Sequence, residues 1–401
     1  MALGATDRID LQCYFPFLAC VSHSCHMHPE ISTHPALTHK ILNSPNPNSG
    51  EIVKFPNGVE AKMVLLGERF PNWQMDMASE RWWPSGLDAK VRHKLVRRIF
   101  EEGNVLPTAL AICTALLSEM YTTTAIPTSE TPKWQATGRR RVRLSYNRSP
   151  IADFGIVRGS VRVTPQDRLA YYHLEKNTFM MGQDPDDHYW IYFTTLAGEE
   201  YFLDCGMMTF NFCEMFPAEP YCRFGLPPIE YAPAFFYEKE RAKALPLITR
   251  IGWKPRQRFS ILREKRLAGM LASFEFDYCD CHDIPTVNTI LDEIAGRECS
   301  QEEKKLTMIF IANACKVLRL NMQNREYLNF PKEPQLNVEI DPEEKGITIE
   351  DEEDRAYSRY IQKWSRKLKK GKASPDQWLA AFNAWKDKPY EARMRMADKP
   401  N

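Results

Sequence analysis

Between Leu87 and Phe100 the apolar side chains Val91, Leu95, Ile99 and Phe100 recur at the helical period, which predicts an amphipathic helix. Gly103-Asn104 breaks it. Pro107 then suits a first helical turn, and "TALAICTALLSEM" is apolar on nearly every side, the mark of a buried helix. Before these helices, residues 51–66 read as short strands around an Asn57-Gly58 turn. After them the pattern alternates in "FGIVRGSVRV" and "HYWIYFTTLAGEEYFLDCG" and continues into "MMTFNFC", a series of β-runs interrupted by a short helix from Pro165. From about residue 236 the pattern turns helical. Ser300 and Glu303 form a capping box, and a last helix opens at Ser374 with Gln377 reaching back, with Trp378, Phe382 and Trp385 on one stripe.

The pattern therefore predicts an α+β fold: a mixed core with antiparallel strands and a buried helix, followed by a helical C-terminal region. The expected divisions are an irregular His/Pro-rich segment over 1–50, the α+β core over 51–235 and a helical region over 236–330. An acidic linker over 331–355 and a helical hairpin over 356–401 complete the chain.

Composition narrows the classes. A hydrophobic share of 43% in 401 residues supports a substantial core, and a net charge of +1 gives no general case for nucleic acid or an anionic membrane. The 11 cysteines are odd in number and contain no C-x-x-C pair, which points to a reducing compartment, cytoplasm or nucleus. No apolar run reaches the ~18 residues of a membrane span, and none has the basic flank of a signal peptide.

The hairpin from His188 to Gly206 raises the question of catalysis. A thiol enzyme needs a Cys at a helix N-terminus, where the dipole favours the thiolate, a His to take its proton and an Asp to orient that His. "GNVLPTALA", His188 and Asp204 follow in that order. The arrangement resembles the transglutaminase-like thiol enzymes, whose pattern runs G-x-C-x-x-x-A, a strand with His and a strand ending in Asp. Gly103 and Ala109 match; Val105 stands where the nucleophile belongs, and Cys113, two turns further along where the dipole helps little, is the thiol left to form a triad with His188 and Asp204. The turn makes the geometry checkable. A three-residue loop, Leu196-Ala197-Gly198, pairs Trp190 with Asp204 and puts His188 on the same face, whereas a two-residue loop would oppose them.

Two further constellations arise. Cys20, Cys25, His34 and His39 have the outline of a Cys2His2 zinc site, but the gap between the pairs is short, two prolines interrupt it and no cofactor is expected. "RYIQKWSRKLKK" is a basic amphipathic helix with Ile361, Trp364 and Leu368 on one face, suited to a protein partner or to packing within the tail. The runs "SPIADFGIVRGSVRVTPQDRLAYY", "GQDPDDHYWIYFTT" and "YAPAFF" together resemble a family of uncharacterised basidiomycete fungal proteins, over most of residues 60–345. Some of its members carry a MYND-type zinc finger, whose closely paired cysteines this chain lacks. The function expected is a non-catalytic intracellular interaction or scaffold module with an unidentified protein partner. The alternative is a thiol hydrolase or acyltransferase.

Overall fold

In a computed structural model the alternating runs pair into strands and the periodic runs into helices, giving the expected α+β fold. The structure describes residues 8–43, 52–55, 58–70, 79–86, 89–121, 143–211, 214–223, 225–238, 252–272, 283–335, 337–338, 349–386 and 388–398. Contacts divide the chain into two units, Met1–Asp341 and Pro342–Asn401.

The first unit is built on a seven-stranded sheet. β1 (Arg8–Asp10) runs parallel to β5 (Arg143–Tyr146). β5, β6 (Ser149–Val161), β9 (His188–Thr195), β10 (Glu200–Asp204) and β13 (Phe235–Glu238) then follow in antiparallel order. β14 (Trp253–Ser260) pairs with the second half of β6. A second sheet joins β2 (His39–Ile41), β3 (Ile52–Lys54), β4 (Glu60–Arg69), β7 (Leu169–His173) and β8 (Thr178–Met181). A small third sheet holds β11 (Glu214–Pro217), β12 (Tyr231–Pro233) and β15 (Asn337–Val338).

One face of the large sheet is covered by helices. α1 (Leu11–His26) and α4 (Val105–Leu116) share a core with Tyr189, Ile191 and Leu203 of the sheet and with α7 (Gln301–Gln323). α4 is buried all round, as its unbroken apolar run predicts. α2 (Pro35–Thr38) and α3 (Ala89–Phe100) serve the second sheet, and α5 (Lys265–Ala272) and α6 (Asp283–Ala295) add to the helical side. The opposite face of the large sheet carries a separate aromatic core of Trp190, Tyr192, Phe202, Phe210, Phe235 and Tyr237.

Several expected divisions need correction. Within the segment read as irregular over 1–50, the described residues 8–43 include α1, a helix with most of its residues buried. Its apolar positions lie all round and Pro16 interrupts it, so no amphipathic stripe marks it. Asp10 caps it, its carboxylate accepting from the Gln12 N–H at 2.9 Å. The core does not end at 235, because β14 lies within the region read as helical. The run "MMTFNFC" forms a 3-10 turn over Met207–Phe210. The acidic stretch is not a linker throughout: β15 pairs with β11, and residues 349–355 belong to a helix. Residues 339–348 lie outside the described residues.

Among the described residues the second unit holds three helices rather than a hairpin: α8 (Ile349–Lys369), α9 (Pro375–Lys386) and α10 (Tyr390–Asp398). The Ser374–Gln377 capping box forms in both directions, at 2.9 and 3.2 Å. Trp385 is buried against Tyr357 and Tyr360, with Ile361, Trp364 and Met394 at its margin. Leu368 is half-buried outside that cluster. Trp378 is half-buried, and the side chain of Phe382 lies outside the described residues.

The packing of α1 is directly testable. Phe15 stacks on Phe236 with ring centroids 4.4 Å apart and meets Phe216 edge-on at 4.9 Å. Phe15→Ala is expected to cost about 3–5 kcal/mol in urea denaturation. A loss below about 1 kcal/mol would place α1 on the surface instead.

Candidate functional site: a buried histidine–aspartate pair

The β9–β10 hairpin turns through three residues. Gly198 N–H donates to Thr195 O at 3.0 Å and Thr195 N–H to Glu199 O at 2.9 Å, with Gly198 at φ +85°, a conformation glycine adopts without strain. Leu203 pairs with Ile191, so one step on Asp204 stands opposite Trp190, with His188 diagonal to it on the same face. This is the register expected from Gly198.

The two side chains meet. His188 Nε2 lies 2.7 Å from Asp204 Oδ2, and both side chains have zero exposure. Two further donors converge on the carboxylate: Trp253 Nε1 on Oδ2 at 2.7 Å and Gly206 N–H on Oδ1 at 3.0 Å. The pairing assigns a proton to Nε2, which donates to the carboxylate, and Nδ1 has no hydrogen-bond partner. His188 is walled by the rings of Trp190 and Phe210, at 6.0 and 5.9 Å.

The pair belongs to the aromatic core, on the face of the sheet turned away from α4. Cys113 lies in the other core, fully buried, its thiol pushed well above the ordinary range by that burial. Only the start of α4 comes near. A Cβ on Gly206 would sit 3.0 Å from His188 Cε1 and 3.1 and 3.2 Å from the two methyls of Val105. Val105 therefore lies across Gly206 from the imidazole, at the helix start where a thiol enzyme holds its nucleophile, and it carries no reactive group. The expected triad of Cys113, His188 and Asp204 is corrected to a dyad: the sheet separates Cys113 from the other two.

A cavity of about 20 Å³, room for a single water, lies between α1, α4 and the hairpin, lined among others by Ser22, His26, Val105, Thr108 and Cys205. Beside it Glu101 is buried between His23, which it contacts closely, and His26, whose Nε2 is 3.3 Å away. Burial disfavours the Glu101 charge, but the two imidazoles outweigh it and hold the carboxyl low. The next residue behaves oppositely. Burial pushes Glu102 up to about 7, although the Tyr171 hydroxyl donates to it at 2.7 Å.

The four residues of the zinc reading are not brought together. Cys20 and Cys25 are buried on α1, and five residues of helix turn them ~140° apart. The neighbouring Cys222 thiol and burial together push the Cys20 thiol well above its ordinary range. His34 caps α2, with Nε2 3.4 Å from Glu102, and His39 Nε2 meets His173 Nε2 at 3.0 Å. Among the described residues no group of three or more His, Cys, Asp or Glu could hold a metal ion. Of the proposed partner stripe, Ile361 and Trp364 pack at the edge of the tail's own core. Trp253 carried no signal in the sequence, since it lies in a stretch without chemical spacing to His188, and Gly206, though it ends the quoted hairpin, bears no side chain to mark its N–H as a donor.

No protein-family model, no curated protein and no solved structure matches the chain.

Gly206→Ala is expected to destabilise the protein by about 1–3 kcal/mol, because the new methyl would press on His188 and Val105 together. Unchanged stability in urea denaturation would contradict the close approach of helix start and hairpin end.

Proposed function

We propose that the chain is a non-catalytic intracellular protein, an interaction or scaffold module, in which His188 and Asp204 serve as a structural tie. The carrying observation is that the pair is wholly buried on the sheet face opposite the helix that bears Cys113. A general base must come within ~3 Å of the proton it takes, directly or through one water. The sheet blocks that approach for Cys113, and Val105 supplies nothing to deprotonate.

Other features support the reading. The described cysteines are all free, as suits a reducing cytoplasm or nucleus. Among the described residues no single helix is long and apolar enough to cross a membrane. The partner class that fits a near-neutral net charge of +1 is protein rather than nucleic acid.

The thiol hydrolase or acyltransferase reading draws on one feature, the unpartnered Nδ1 of His188. A panel of peptide, ester and glutaminyl-amide substrates separates the two. Wild type and His188→Ala should give the same background turnover, while the variant loses about 3–5 kcal/mol of stability by leaving Asp204 buried without its Nε2–H donor. Turnover above background that His188→Ala abolishes would overturn the non-catalytic reading.

A further inference from the structure

A second cavity, about 310 Å³, opens on the smaller sheet between β2, β4 and the β7–β8 turn. That volume is at the lower end of what small-molecule pockets occupy, about 300–1,000 Å³. The inner wall holds His39 and His173, both buried; Arg69, at the end of β4, and Lys176, in the β7–β8 turn, stand exposed at the mouth. Thr33 and Thr178 add hydroxyls there. No carboxylate is present among the described lining residues. Glu68, next to Arg69 in sequence, instead lies 4.0 Å from Lys40.

The hydrogen bonds fix what the imidazoles can offer. His39 Nδ1 lies 2.8 Å from the Pro35 carbonyl and must carry a proton to donate to it. His173 Nδ1 accepts from the Lys176 N–H at 3.3 Å, so in the neutral ring its proton is on Nε2 and points at His39 Nε2, 3.0 Å away. The ring nitrogens of both are thus engaged, and neither presents a free lone pair to a metal ion. Two nearby cations disfavour a metal further. The same cations favour an anion: a guanidinium fork suits two phosphoryl oxygens, and an ammonium adds a point charge.

We propose that this cavity binds a small soluble phosphate monoester. Arg69 and Lys176 take the phosphoryl group, Thr33 and Thr178 donate to its remaining oxygens, and Leu66 and Met180 contact the organic part. The site does not depend on the reading of the His188–Asp204 pair, which lies on the other sheet.

The test is calorimetric titration of the full chain with inorganic phosphate and with glycerol 3-phosphate at constant ionic strength, with chloride and glycerol as controls. Saturable one-site binding is expected for both phosphates and for neither control. The double variant Arg69→Gln, Lys176→Gln should weaken it about a hundredfold or more, since two charge-assisted hydrogen bonds are lost together. Both side chains are exposed, and an unchanged urea curve verifies that the variant folds. Absence of saturable binding, or binding that the double variant retains, would overturn the proposal. So would association confined to vesicles containing phosphatidic acid, which would identify a membrane headgroup as the ligand.

Discussion

The Asp204 carboxylate accepts hydrogen bonds from three separate segments: His188 at the start of β9, Gly206 just past β10, and Trp253 at the start of β14. A carboxylate fully removed from water costs several kcal/mol unless its oxygens are satisfied. The three donors meet that demand only in one arrangement of the strands, so the constraint fixes where β10 ends and where β14 begins. The same arrangement draws Gly206 between His188 and Val105, a space that a side chain at 206 would fill.

The sheet has a second consequence as a partition. Side chains alternate along β9, so Tyr189 and Ile191 face the helices while His188, Trp190 and Tyr192 face the aromatic core. A nucleophile on the buried length of α4 is thereby kept from the imidazole by the backbone itself. Chain order and spacing that suggest a thiol triad thus coexist with a geometry in which the acid–base pair holds strands together.

What could be read from the residues followed the strength of local signals. Gly198 gave the loop length and hence the shared face of His188 and Asp204, because loop geometry sets register. The stripe Val91, Leu95, Ile99 gave α3, and the unbroken apolar run gave the buried α4. The α1 helix was hidden because burial on all sides leaves no period, and Pro16 suggests a break. β14 was hidden for another reason: "WKPRQRFS" is mostly polar, and it pairs with β6 while keeping its cationic side chains outward. Trp253 as the third donor to Asp204, and the cationic mouth around His39 and His173, arise from chain segments far apart in sequence, so no spacing announces them.

The account stands or falls on whether Cys113 and His188 are isolated from each other in the native protein. Native-state alkylation with iodoacetamide, resolved by site through mass spectrometry, measures this directly. Cys113 should react only as fast as the fold opens, and His188→Ala should make it faster by weakening the fold. Rapid labelling of Cys113 in the native chain that His188→Ala slows would show an activated thiol and contradict the account.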